Sequence, residues 1–190
     1  MPRRSRRRRG DGGAVAVEFA LVSAVLFPVL FGAVEYGLYF ADAIAVQRST
    51  GQVARSAGLL PATGPEGASA CSGLALGSLG EGPLAETACS AVRDVDTVLG
   101  SVHVRTLVIG PDGAPAATPT WGPPNRVRVC VVNDHGGILP MIPLPGDGQI
   151  QARVDMPIEP QSSSGLLEVL DVGDLTSPEA VARDWDWCGS

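Results

Sequence analysis

The chain has 190 residues, 45% of them hydrophobic, and a formal charge of −6. All 14 basic residues are Arg and six lie within the first nine positions; from Ala14 onward 8 Arg face 19 acidic residues, a net of −11. The body is therefore acidic, which argues against a nucleic-acid reader, whose positive charge sits on the folded part. With 24 Gly and 16 Pro the chain stays below the proportion typical of disorder, and its length suits one domain with an appendage.

Residues 1–13 read as an Arg-rich leader. Residues 14–34, AVAVEFALVSAVLFPVLFGAV, are 21 positions with Glu18 as the single charge. A helix needs roughly 20 residues to cross the hydrocarbon core. A cleaved secretory signal has an apolar region of only ~7–15. The Arg cluster in front of the span is a topology signal. It keeps the N-terminus cytoplasmic and places the chain beyond about residue 42 outside. Nuclear localisation and RNA binding are the rival readings of the cluster, and the adjoining apolar run makes them unnecessary. The residues after it do not match a twin-Arg export signal closely.

Glu18 is the anomaly, because a carboxylate in an apolar span costs roughly 2–3 kcal/mol or more at the midplane. It is either an interfacial Glu that snorkels or a carboxylate awaiting a cationic partner. Gly13 stands five positions before it and Phe19 follows it. This resembles the cleavage site of type IV prepilin-like proteins, in which a membrane peptidase cuts after Gly and leaves Glu as the fifth mature residue. Counted from Ala14, Glu18 is the fifth. The run Ala16-Val17-Glu18-Phe19-Ala20-Leu21, followed by Gly32, Glu35, Tyr36 and Gly37, is similar to the TadE-like pseudopilins of the tight-adherence (Flp) branch. The resemblance covers about residues 10–58. It departs from the family at Ser23-Ala24-Val25, where a Leu-rich run is common, and at Ala14, where many pilins carry an aromatic residue. It implies a processing site at Gly13 and Ala14, subunit assembly through Glu18 and Phe19, and a family motif at Gly32, Glu35, Tyr36 and Gly37. It also implies partners: a prepilin peptidase, other pilin or pseudopilin subunits including the major Flp pilin, and the tight-adherence platform with its ATPase.

Part of that chemistry stands without the family. Cutting after Gly13 removes six positive charges at once and leaves one α-ammonium at the membrane edge. A neighbouring Glu18 can neutralise it where unpaired charge is costly. Gly at the scissile position lets the backbone extend into an active site.

The helix is expected to continue past the membrane as a stalk over residues 14–57, with positions 36, 40 and 44 on one apolar face and a stop at Gly58 and Pro61. Pro28 removes one intrahelical donor. Ala33 and Gly37 offer a small-residue face. Residues 58–82 are a Gly/Pro-rich connection. Residues 83–190 form an extracytoplasmic α+β domain: a short helix over 83–99, then strands over 101–109, 126–132 and 149–156. Their alternating pattern and long loops suit an antiparallel meander. Residues 166–172 fit a strand or a helical turn. Thr176-x-x-Glu179 with Pro178 resembles a capping box opening a last helix over 180–187.

Four cysteines allow three pairings, and outside the membrane bridges are favoured over free thiols. The expected bonds are Cys71–Cys89, tying the connection to the short helix, and Cys130–Cys188, fastening the C-terminus to the central strand. No C-x-x-C pair serves zinc or thioredoxin chemistry. Asp94-x-Asp96 lacks the Gly and distal Glu of a calcium loop. His103 and His135 read as ordinary polar residues, and Asp184-Trp185-Asp186-Trp187 as a helix end packed on the sheet. No catalytic, cofactor or metal residue emerges, so an enzyme is not expected. Three functions remain: a pilus-associated pseudopilin, a membrane-tethered binding module that does not polymerise, and a secreted protein cut near residue 46.

Overall fold

A computed structural model describes residues 11–60, 82–95, 97–117, 119–138, 142–159, 168–169, 174–176 and 184–189. Helix α1 spans Asp11–Gly58, 48 residues, or about 72 Å at 1.5 Å per residue. It has two halves. From Gly13 to Val34 its side chains are exposed on all sides, with only Ser23 and Gly32 partly covered. From Glu35 onward one stripe is buried: Glu35, Tyr39, Asp42, Val46, Ser49, Thr50, Val53, Ala54 and Ala57. The steps of three and four are those of a helix face laid on a domain. The buried hydroxyls of Ser49 and Thr50 donate back to the Ala45 and Val46 carbonyls at 2.7 and 2.6 Å.

That stripe corrects the face expected from positions 36, 40 and 44. Phe40 is 56% and Ile44 49% exposed. The buried face carries Glu35 and Asp42, whose charge disguises it. The domain tolerates them because it supplies their hydrogen bonds.

Helix α2 runs Pro83–Asp94, with Pro in its first turn, where no donor is lost. It stops short of the expected residue 99 because Val95 turns to extended backbone. Strands β1 (Ser101–Ile109), β3 (Arg126–Asp134) and β4 (Gln149–Pro157) form the expected antiparallel meander. A short β6 (Asp174–Thr176) adds to the outer edge of β1, giving the order β4-β3-β1-β6. Strands β2 (Thr120–Trp121) and β5 (Glu168–Val169) pair separately.

One face of the sheet holds Val104, Val108, Val127, Val129, Val131, Ile150 and Ala152 and packs on α1 and α2. The alternation of Val127, Val129 and Val131 made this face legible. The opposite face is open at β4, where Gln149, Gln151 and Arg153 are exposed, and covered at β1 and β3. Leu107, Ile109, Cys130 and Val132 pack with Trp185 and Cys188 of the C-terminal segment, and Trp187 lies against them. A short α3 (Asp186–Gly189) carries Cys188. Thr176 ends β6, and residues 177–183, where the expected capping box continues and the last helix would begin, lie outside the described residues.

The Cys130–Cys188 bond is present and closes a sequence separation of 58 residues. Constraining such a loop is worth about 4 kcal/mol in a chain-entropy account. Cys89 is disulfide-bonded too; Cys71, its expected partner, lies outside the described residues.

Candidate functional site

The bare half of α1 is the first candidate. Its best 18-residue window has a mean hydropathy of 2.3, enough by length and composition to cross a membrane. Val15, Val17, Phe19, Leu21, Val25 and Val29 are each more than 60% exposed. No part of the domain covers them. Glu18 and Phe19 project from this surface, and Gly13 and Ala14 open it, with nothing within 4 Å of where a Cβ on Gly13 would stand. Gly13 sits in the first turn of α1, where amide donors lack helical partners and unwinding is cheap. A protease could draw that bond into extended form without disturbing the domain.

The second site lies where the bare half meets the clothed half. The sequence marked Gly32, Glu35, Tyr36 and Gly37 there, and the structure brings three of the four onto residues 137–138 and 142–143. The buried Glu35 carboxylate accepts the Ile138 amide at 2.8 Å. Gly137 permits this approach, since a Cβ there would stand 2.6 Å from Glu35 Oε1. Tyr36 donates its hydroxyl to the Pro143 carbonyl at 2.7 Å. Ile142 Cδ1 lies 4.0 Å from where a Cβ on Gly32 would be. Gly37 is exposed and meets nothing.

Two residues in this site, Tyr39 and Asp42, escaped the sequence reading, and their partner His135 reads there as an ordinary polar residue. Tyr39 donates to the Pro145 carbonyl at 3.2 Å and sets its ring edge-on to His135. Asp42, fully buried, accepts from the Val98 amide at 2.7 Å, the Leu99 amide at 3.1 Å and His135 Nδ1 at 2.8 Å. With Nδ1–H as the donor, the Asp42 carboxylate ties two segments to one helix turn. His135 in turn donates its amide to the Gly148 carbonyl at 2.9 Å, and a Cβ on Gly148, which has φ +80°, would stand 2.6 Å from the His135 carbonyl oxygen. The available signal was spacing: Glu35, Tyr39 and Asp42 share one helix face.

An Asp–His pair invites a catalytic reading, but both side chains are fully buried. No substrate reaches them with the loop in place. Among the described residues no three His, Cys, Asp or Glu side chains converge to hold a metal.

Across the sheet, Arg128 forms a two-pronged pair with Asp155 at 2.7 and 2.8 Å and donates to the Cys188 carbonyl at 2.9 Å. The hydrogen bonds to Asp155 raise its guanidinium above arginine's ordinary value, against the opposing effect of burial. The ion pair joins β3 to β4, and the hydrogen bond to Cys188, with the disulfide, holds the C-terminal segment to the sheet.

No curated protein and no solved structure matches the chain. Residues 13–55, from the first turn of α1 to its last, match the family model described as TadE-like protein, so that α1 is similar to a TadE-like segment.

Proposed function

We propose that this protein is a minor pilin or pseudopilin of a tight-adherence pilus assembly system. It is held by α1 in the membrane, with the Arg-rich leader cytoplasmic and the α+β domain outside. A prepilin peptidase cuts between Gly13 and Ala14. The new Ala14 ammonium is then met by Glu18 of a neighbouring subunit. The observation that carries this reading is the bare half of α1: an apolar surface, exposed on every side, that opens at Gly13 and bears one carboxylate near its start. The Cys130–Cys188 bond supports an oxidising compartment for the domain. The secreted alternative fares worse, because a cut near residue 46 would sever α1 within its buried stripe, at the fully covered Val46.

Intact mass and N-terminal sequencing of membrane-extracted protein test it. The processed chain starts at Ala14, whereas an unprocessed tethered module starts at Met1 or Pro2. Gly13→Leu should retain the leader, because a bulky side chain bars the extended backbone from the peptidase. A Gly13→Leu chain that still begins at Ala14 would remove the prepilin reading.

A further inference from the structure

The loop pinned beside Glu35 lies level with the end of the apolar span. Val34 closes that span, and Tyr36, Tyr39 and Phe40 follow, aromatic residues of the kind that gather at a membrane–water boundary. Helical side chains lean toward the helix N-terminus, so the Glu35 carboxylate reaches toward the membrane, and Ile138 hangs from it by its amide. Ile142 reaches further, to Gly32, three residues or about 4.5 Å deeper along the axis. Ile138 is 57% exposed and Pro143 is exposed as well. From Gly136 to Gly146 the sequence, GGILPMIPLPG, has no charged, hydroxyl or amide side chain. Residues 139–141 of this stretch lie outside the described residues, and no contact is assigned to them.

Irregular backbone is tolerated at membrane depth only where its polar groups find protein partners. Three backbone groups of the described residues here meet that condition. The Ile138 amide goes to Glu35, the Pro143 carbonyl takes the Tyr36 hydroxyl, the Pro145 carbonyl takes the Tyr39 hydroxyl, and neither proline has an amide to satisfy. The family motif thus does for the loop what a lipid environment cannot.

We propose that Ile138, Ile142 and Pro143 form a second membrane contact, seated in the leaflet interface nearest the domain and continuous with the apolar surface of α1. The proposal rests on the membrane-anchor part of the functional reading. The partner is the bilayer itself, and the contact fixes the height and tilt of the domain before any assembly step.

Methyl-labelled full-length protein in lipid nanodiscs tests this, using a lipid with a nitroxide on its acyl chain and, separately, a water-soluble gadolinium chelate. Ile138 should be broadened several-fold more by the lipid nitroxide than Ile44 is, and shielded from gadolinium. Ile44, exposed ten residues beyond Val34, or about 15 Å along the helix, should show the reverse. The buried Ile150 should respond weakly to both. Leu21 and Leu26 report insertion of α1 independently. If they follow the lipid while Ile138 follows Ile44, the loop proposal is overturned and the anchor stands. If Ile138 is shielded from both agents, a protein surface covers it and the proposal is equally overturned. If Leu21 and Leu26 follow gadolinium, the anchor itself fails.

Discussion

Asp42 and Arg128 show how little a residue's letter says about its surroundings. Each would be placed on a solvated face by type, and each is buried because partners distant in sequence complete its hydrogen bonds. Asp42 meets His135 across 93 positions and Arg128 meets Asp155 across 27. A single sequence has no means of pairing residues so far apart. The two sites should respond differently to perturbation. Arg128's shift is upward, so the stabilisation it represents is complete at every pH below arginine's ordinary value. It is lost only as pH climbs through the raised one, beyond normal handling conditions. For Asp42, truncation removes the acceptor of three donors, and each buried donor left unsatisfied costs about 1–3 kcal/mol. Asp42→Ala should therefore destabilise the domain by about 3 kcal/mol or more, allowing for partial rescue by water. Chemical denaturation of the detergent-solubilised chain, followed by the fluorescence of its Trp residues, measures it. A loss below about 0.5 kcal/mol, the range of ordinary surface changes, would mean that Asp42 is not the tie between α1 and the two segments.

Elements were far more legible than their faces. The length of α1 followed from the apolar run over 14–34, the helical spacing that continues it and the stop at Gly58. The three long strands followed from β-branched alternation, and Ser101–Ile109 was found to the residue. What the sequence did not show was which side meets the domain. Spacing by four groups Tyr36, Phe40 and Ile44 on one apolar face, and that face is not the one the domain covers. The actual stripe is built from smaller residues, Val46, Val53, Ala54 and Ala57, together with two satisfied carboxylates. Close approach of the helix to the sheet favours small side chains there. Cys130 and its cover were legible together, since the sequence suggests Cys130–Cys188 across 58 positions and a Trp segment packed on the sheet; the burial of Arg128 beside them was not. A paired substitution separates the two faces of α1. Val46→Ala removes buried methyl groups and should cost about 2 kcal/mol. Ile44→Ser, on the exposed side, should stay within about 0.5 kcal/mol. Thermal unfolding of both variants in the same detergent decides it. An Ile44→Ser chain that melts as early as Val46→Ala would restore the face that periodicity indicated.

At the scale of the whole molecule, one 48-residue helix carries two glutamates with separate tasks. Glu18 stands on the bare half, exposed and facing away from the domain. Glu35 stands on the clothed half, buried against the loop. They are 17 residues apart, about 26 Å along the axis, so an aligned neighbour's Ala14 ammonium that meets one cannot meet the other. Glu18→Ala should therefore leave processing at Gly13, membrane level and domain stability unchanged, while reducing incorporation into the pilus. Breaking a buried pair costs about 3–5 kcal/mol, and at the membrane edge, where water reaches, the low end applies. Glu35→Ala should give the opposite pattern. The Ile138 amide loses its acceptor, the loop over residues 136–146 becomes open to proteolysis, and the domain loses about 1–3 kcal/mol, with the contact between Glu18 and the ammonium still available. The measurement is co-purification of each variant with assembled pili, normalised to membrane level, beside limited proteolysis of the same preparations. Equal recovery of Glu18→Ala and wild type would reduce Glu18 to a snorkelling residue and favour a tethered module over a polymerising one. Proteolytic resistance in Glu35→Ala would show that Tyr36, Tyr39 and Asp42 hold the loop without it.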